Sequence, residues 1–232
     1  MTTGPSINWD RIQLVVFDVD GTLYNQRPLR LRMFKELLRH SIELRSLETL
    51  KVLRIYRRLR DTFGEQEVDG FDEILAACTA KEAGIELTKV RSLVSEWMER
   101  RPLPHIRACR YPYLPELFAA LKRRKKTIGI FSDYPAVEKL AALDLKADIV
   151  VSATDKSVGI LKPNPRGLNV IMEMTSVGPQ ETILIGDRTE RDGEAARRAG
   201  ALSLILSERP IDGWACFRNY SAGQFLQLFE PS

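Results

Sequence analysis

The sequence predicts an α/β fold, a doubly wound parallel sheet with a smaller all-helical second domain. Short apolar runs alternate with segments of helical spacing, as in parallel sheets covered by helices. The first apolar run stops at Asp18, which is typical of a strand that is buried on both faces. A long interval with helical spacing and no strand signal separates the first run from the second. We therefore expect one sheet domain interrupted by a helical insertion.

Five apolar runs are predicted to be strands, and helical segments separate them. The predicted strands are 12–17, 127–131, 148–151, 182–185 and 201–206, with predicted helices at 114–124 and 190–199. Residues 1–23 and 110–232 are expected to form the sheet domain, and residues 24–109 the helical cap. Within the cap, apolar residues at three- or four-residue spacing predict helices over 44–63, 71–83 and 88–100.

The positive charge of the chain is concentrated in the predicted cap. Residues 24–109 hold 17 Lys/Arg and 13 Asp/Glu, whereas the rest of the chain holds 18 of each. A solvated helix face is the favoured interpretation, and a lid whose field attracts an anionic substrate is the alternative. Nucleic-acid binding is disfavoured because the basic runs 57–60 and 122–126 lack interleaved aromatic residues.

Composition indicates a globular protein of 232 residues with a net charge of +4. We expect no membrane association, because no run approaches the roughly 18 apolar residues that span a bilayer. Without a secretion signal at the start, a cytoplasmic location is expected. Three separated cysteines, Cys78, Cys109 and Cys216, are interpreted as packing residues or free thiols. His40 and His105 lack partners at metal or triad spacing and are left outside the predicted site.

The segment Asp18-Val19-Asp20-Gly21-Thr22 directly follows the first predicted strand. Open parallel sheets bind ligands at the carboxyl ends of their strands, so two carboxylates there suggest chemistry. Taken alone, however, Asp-x-Asp-Gly also fits a polar turn.

Three later polar features stand at or just beyond the ends of further predicted strands. Ser132 ends the second strand, Lys162 follows the third, and Asp187 and Asp192 follow the fourth. Their order is the one that a single shared crevice requires.

With these four motifs the sequence resembles the haloacid dehalogenase-like hydrolase superfamily over nearly its whole length. A helical cap between the first two motifs is similar to its first subfamily, which includes phosphoglycolate phosphatase-like enzymes and β-phosphoglucomutase. The resemblance implies a Mg²⁺-dependent enzyme that forms an aspartyl-phosphate at Asp18. It also implies that the metal is bound by Asp18, the backbone carbonyl of Asp20 and Asp187, with Asp192 holding a metal-bound water or steadying the ligands.

The same resemblance assigns the remaining roles. Asp20 would protonate the leaving oxygen and then deprotonate the attacking water. Ser132 would donate a hydrogen bond to a phosphoryl oxygen, and Lys162 would offset the charge of Asp18 and the transferring group. One departure is Asp133, where many relatives have Asn. We expect its side chain to face away, capping the following helix or pairing with a cation.

The predicted function is hydrolysis of a small phosphorylated metabolite, and two alternatives stay open. One is a phosphomutase that returns the phosphoryl group to a sugar phosphate, and the other is a non-catalytic binding or regulatory protein. Dehalogenation and phosphonate cleavage are disfavoured because those branches lack the second carboxylate, which this chain keeps as Asp20. The substrate and the oligomeric state are left open, with Arg27, Arg30 and residues near Phe71 as candidates for substrate selection.

Overall fold

A computed structural model describes residues 7–221 and 223–230 and contains a six-stranded parallel sheet in the order β3-β2-β1-β4-β5-β6. The strands are β1 Leu14–Phe17, β2 Thr127–Ser132, β3 Ile149–Ser152, β4 Thr182–Gly186, β5 Leu202–Leu206 and β6 Cys216–Phe217. The predicted parallel α/β fold is confirmed. The sixth strand was not predicted, because two residues are too short to give an apolar run.

Strand β1 lies between β2 and β4, and both of its faces are buried. Val15 and Phe17 pack in a cluster on one face, whereas Leu14 and Val16 pack in a second cluster on the other. Helices cover each face, which is why four consecutive residues of this strand are apolar. In register, Phe17 pairs with Ile130 on one side and with a β4 residue on the other, so the neighbouring strands end close to one another.

Helices outside residues 24–109 connect the strands and cover the sheet. They are α6 Leu114–Arg123, α7 Val137–Leu143, α8 Arg166–Thr175, α9 Glu194–Ala199 and α10 Leu226–Phe229. A π-helical turn, Thr189–Gly193, precedes α9, so the predicted helix at 190–199 is present but begins irregularly.

Between β1 and β2 the chain is helical, as predicted. The helices are α1 Gln26–Glu43, α2 Glu48–Glu65, α3 Phe71–Ala83, α4 Leu87–Val94 with a π-helical continuation Ser95–Arg100, and α5 Leu103–Ile106. The single helix predicted over 44–63 is wrong at its start. Leu44 and Leu47 are 60% and 69% exposed and lie in the connection between α1 and α2, so the matching spacing at these two residues is accidental.

These helices share a hydrophobic cluster that includes Val52, Phe71, Leu75 and Trp97. The cluster also takes in Leu161, which belongs to the loop that follows β3, so it reaches the sheet. Burial of each such side chain contributes about 1.5–3 kcal/mol. Treating residues 24–109 as a separate cap remains a prediction.

The chain leaves and re-enters the sheet region at two adjacent points. The Asn25 amide donates to the Cys109 carbonyl at 2.9 Å, and the Tyr111 amide donates to the Leu23 carbonyl at 3.1 Å. These bonds join the two ends of the helical segment close to the motif that follows β1. Within the described part of the chain, no helix has the length and apolarity needed to cross a bilayer. The three cysteines are free, as predicted.

Candidate active site

Asp18 lies at the carboxyl end of β1 and is almost completely buried. Its backbone amide donates to the Ile185 carbonyl at 2.9 Å, which holds it at the junction of β1 and β4. The carboxylate accepts from Lys162 Nζ at 2.6 Å through Oδ1 and from Thr22 Oγ1 at 3.1 Å through Oδ2. Each carboxylate oxygen is therefore held by a different side chain.

Lys162 is 1% exposed and joins two acidic residues. Its ammonium donates to Asp18 Oδ1 and to Asp192 Oδ1, each at 2.6 Å, and to the Phe131 carbonyl at 3.2 Å. Burial opposes a charged lysine, but the two carboxylates outweigh it and raise the pKa of Lys162. The ammonium therefore stays charged in the centre of the site.

Asp192 is fixed by the backbone of the loop that follows β4. Its Oδ2 accepts from the Asp187 amide at 3.2 Å and from the Arg188 amide at 3.1 Å. Asp187 is less constrained, because its Oδ1 is buried and has no hydrogen-bond partner among the residues that the structure describes. A buried carboxylate oxygen without a partner is costly unless a cation binds it.

Three carboxylates form a group that suits a hard divalent cation. Asp18, Asp187 and Asp192 each offer one oxygen, and these oxygens lie within 4.8 Å of one another. Oxygen ligands are those that Mg²⁺ prefers. The residues present, including the Asp187 oxygen that has no partner within residues 7–221 and 223–230, therefore fit this metal.

Crowding of these carboxylates changes their protonation. Burial raises the pKa of Asp18 well above its usual value, with Asp192 and Asp187 adding to the rise and Lys162 opposing it. Burial and the charge of Asp192 raise the pKa of Asp187 to about 7. Without a cation besides Lys162, burial and mutual repulsion therefore favour a proton on this group.

The side chain of Asp20 points to other partners. Lys139 Nζ lies 2.7 Å from Asp20 Oδ1 and 2.5 Å from Oδ2, and the Tyr24 hydroxyl donates to Oδ1. Burial favours the neutral acid, but the charge and hydrogen bonds of Lys139, with the bond from Tyr24, outweigh it and lower the pKa of Asp20. Its predicted metal contact was through the backbone carbonyl, so the side-chain contacts leave that prediction untouched.

Sequence reasoning missed both Lys139 and Tyr24. A signal for Lys139 did exist, because it lies on the same side of α7 as the buried Leu143 and next to the buried Leu140. A lysine within an apolar helix face indicates a buried partner. The spacing of residues did not predict that this partner is Asp20, which lies 119 positions earlier.

Ser132 ends β2 and is completely buried. Its Oγ accepts from the Tyr134 amide at 3.2 Å. The neighbouring Asp133 does not take the place that we expected. Its Oδ1 accepts from the Lys162 backbone amide at 3.0 Å instead of capping α7, since that helix begins four residues later at Val137. Asp133 thereby ties the motif after β2 to the one after β3.

A cavity of about 1340 Å³ lies over these residues. Asp18, Asp20, Asp187, Asp192, Lys139 and Lys162 line its floor. Helices α1 and α2 supply much of the remaining wall, including the predicted substrate-selection candidates Arg27 and Arg30. Phe71 instead lies buried beneath the guanidinium of Arg60, whose carbon is 5.0 Å from the Phe71 ring centroid.

Comparison with known proteins identifies the family. The model of the haloacid dehalogenase-like hydrolases matches residues 12–200, which is most of the chain and includes every motif described above. The chain belongs to the haloacid dehalogenase-like hydrolase family. The predicted resemblance is thereby confirmed.

Relatives of this haloacid dehalogenase-like hydrolase include named phosphatases. A glyceraldehyde 3-phosphate phosphatase of Methanopyrus kandleri is 27% identical over 84% of each chain. The pyrophosphatase PpaX of Bacillus mycoides is also 27% identical, over 85% of this chain and 84% of its own. A solved 2-haloacid dehalogenase from Pseudomonas syringae pv. Tomato DC3000 has a TM-score of 0.66 at 20% identity, covering 94% of this chain and 97% of its own. At that identity the structural likeness shows the fold alone.

Proposed function

We propose that this hydrolase is a Mg²⁺-dependent phosphatase that acts on a small phosphorylated metabolite through an aspartyl-phosphate at Asp18. One observation supports this most strongly. The Lys162 ammonium joins Asp18 to Asp192 beside the buried Asp187 oxygen that has no partner in the described part of the chain. The proposed nucleophile Asp18, the fixed Lys162 ammonium and an incomplete set of oxygen ligands thus meet at the carboxyl ends of the strands.

In the first step an Asp18 carboxylate oxygen attacks phosphorus. The bond between phosphorus and the leaving oxygen breaks, and that oxygen takes a proton from Asp20. Lys162 offsets the negative charge that gathers between Asp18 and the phosphoryl group. Ser132, at the end of β2, is proposed to donate a hydrogen bond from its hydroxyl to a phosphoryl oxygen.

In the second step water attacks the phosphorus of the aspartyl-phosphate. Asp20 takes a proton from that water, the bond between phosphorus and Asp18 breaks, and inorganic phosphate leaves. Asp18 is then a free carboxylate again, and Asp20 carries a proton that its lowered pKa makes ready to leave in the next turnover. One residue serves both half-reactions because it gives its proton in the first and regains one in the second.

Asp18, Asp187 and Asp192 would hold Mg²⁺, together with the backbone carbonyl of Asp20. When bound, the metal offsets the repulsion between the Asp18 carboxylate and the anionic phosphate. The three side chains contribute by presenting their oxygens within 4.8 Å of one another. The loop amides and the Lys162 ammonium hold Asp192, and the same ammonium holds Asp18, before any substrate arrives.

Phosphatase activity accords with the names of both curated relatives, one acting on a sugar phosphate and one on pyrophosphate. The fold resembles that of a 2-haloacid dehalogenase, but dehalogenation is the less favoured reaction. A leaving halide needs no proton donor, so that reaction gives Asp20 no role. This chain retains Asp20 and holds it with two buried residues.

We place the reaction in the cytoplasm and expect residues 24–109 to close over the substrate.

A panel assay tests this function. Purified protein is incubated with phosphorylated sugars, phosphoglycolate, nucleotides and pyrophosphate, with Mg²⁺ or with chelator. We expect Mg²⁺-dependent release of inorganic phosphate, which is lost in Asp18→Asn while the fold is kept. An isomeric sugar phosphate in place of inorganic phosphate would indicate a mutase. Binding of phosphate esters without any turnover would indicate a non-catalytic protein.

A further inference from the structure

The side chain of Asp20 is held by two residues that belong to none of the four motifs. Lys139 donates to both carboxylate oxygens, and Tyr24 donates to Oδ1. A carboxylate has about four acceptor sites, two on each oxygen. Three are occupied here, and the remaining one is on Oδ2. The geometry therefore leaves Oδ2 as the oxygen that can carry and exchange a proton.

Lys139 is itself fixed by its surroundings. Its side chain is 7% exposed, and Nζ lies 5.0 Å from the ring centroid of Tyr134. Arg60 of α2 also lies over that ring, with its guanidinium carbon 3.9 Å from the ring centroid. Arg60 also donates to the Asp133 backbone carbonyl. The lysine that binds Asp20 thus packs against a ring that α2 covers.

Tyr24 occupies the point where the chain leaves the sheet for the helical segment. It is 3% exposed and forms backbone bridges to Asp20 and to Arg110. The hydrogen bond from the Asn25 amide to the Cys109 carbonyl and the one from the Tyr111 amide to the Leu23 carbonyl flank it. Its hydroxyl donates to the Asp20 carboxylate from this anchored position.

We propose that Lys139 and Tyr24 are positioning residues that hold Asp20 Oδ2 towards the leaving-group oxygen. The inference rests on the proposed phosphatase function and adds two residues to it. Lys139 and Tyr24 keep their own protons, and only the proton on Asp20 moves, first to the leaving oxygen and then back from water. Lys139 and Tyr24 should therefore speed the reaction most for substrates whose leaving oxygen must be protonated as it departs.

A pair of aryl phosphates tests this placement. Phenyl phosphate and p-nitrophenyl phosphate have similar size, but p-nitrophenolate leaves without protonation far more readily. The measured quantity is kcat/KM with Mg²⁺, which reports the steps through phosphoenzyme formation and not the later attack of water. In Lys139→Met we expect the ratio of kcat/KM for p-nitrophenyl phosphate over phenyl phosphate to rise about tenfold or more, within the usual contribution of general acid catalysis. Tyr24→Phe keeps the ring and should raise the ratio a few-fold.

Three further variants complete the design. Asp20→Asn should raise the ratio at least as much as Lys139→Met, and Lys139→Arg, which keeps a donor, should restore part of the wild-type ratio. Lys146→Met removes an exposed lysine that has no salt bridge within the described residues and should leave the ratio unchanged. Thermal unfolding checks that each variant is folded.

The outcomes separate the two proposals. Equal losses on both esters in Lys139→Met and Tyr24→Phe, with the ratio at its wild-type value, would overturn the positioning role alone. Wild-type protein that releases no phosphate from either ester with Mg²⁺ would contradict the phosphatase function and this inference with it.

Discussion

At the residue scale, the approach of the loops after β1 and β4 depends on a glycine. Gly21 has φ +103°, which L side chains rarely adopt. A Cβ at this position would lie 2.2 Å from Asp187 Oδ2, far inside van der Waals contact. Gly21 therefore serves both the backbone turn and the placement of a proposed metal ligand.

Replacing Gly21 by Ala should displace the Asp187 carboxylate and strain the turn. We expect Mg²⁺ affinity, measured by isothermal titration, to fall, together with a loss of about 1–3 kcal/mol in the free energy of unfolding. Gly84→Ala is the matched control, because Gly84 also has positive φ (+73°) but nothing within 4 Å of the added Cβ. It should lose stability and keep its metal affinity. Equal metal affinities in both variants would show that the contact with Asp187 has no role.

Asp187 is the proposed ligand whose removal is easiest to interpret, because its Oδ1 has no partner within the described residues. We expect Asp187→Asn to weaken Mg²⁺ binding at least about tenfold, since a charged oxygen ligand is lost. Titration calorimetry without substrate measures this directly. Asp212→Asn, at an exposed position of the loop after β5, is the control. An unchanged Mg²⁺ titration for Asp187→Asn would remove this residue from the ligand set.

At the element scale, the strands followed from the sequence more closely than the helices. Runs such as Leu14–Phe17 are apolar throughout because both faces of the sheet are covered, and this gives an unmistakable signal. Helix α1 was not predicted as an element because its apolar residues do not mark a buried face. Several of them face solvent, namely Leu31, Phe34, Leu38 and Ile42. Tertiary packing, which spacing does not show, decided the limits of α1 and α2.

Arg60 links α2 to the loop after β2. It is 4% exposed, donates to the Asp133 carbonyl and covers the Tyr134 ring. We expect Arg60→Met to lower the free energy of unfolding by about 1–3 kcal/mol, because a partly buried carbonyl loses its donor and a cation–π contact is lost. Arg54→Met, at an exposed position of the same helix, should change it by less than about 0.5 kcal/mol. Urea unfolding gives both values, and equal stabilities would contradict the link.

At the scale of the whole molecule, the motifs predicted which chain segments would meet, but not all of their contacts. Lys162 contacts both Asp18 and Asp192 although the three are far apart in sequence, because each follows a strand of one parallel sheet. The contact of Asp20 with Lys139 has a different origin. It depends on how α7 packs on the sheet, which the order of strands alone does not determine. Catalytic roles for all of these residues stay predictions.

The central claim is that Asp18 carries the phosphoryl group during turnover, and one trapping measurement tests it most directly. Asp20→Asn protein is mixed with p-nitrophenyl phosphate and Mg²⁺, because this leaving group needs little protonation while the loss of the base should slow hydrolysis of the phosphoenzyme. After an acid quench, intact mass and peptide mapping locate any bound phosphate. We predict phosphate on Asp18, and none when Asp18→Asn is added to the variant. Mg²⁺-dependent p-nitrophenol release with no protein-bound phosphate at any time, or phosphate on another residue, would contradict the account.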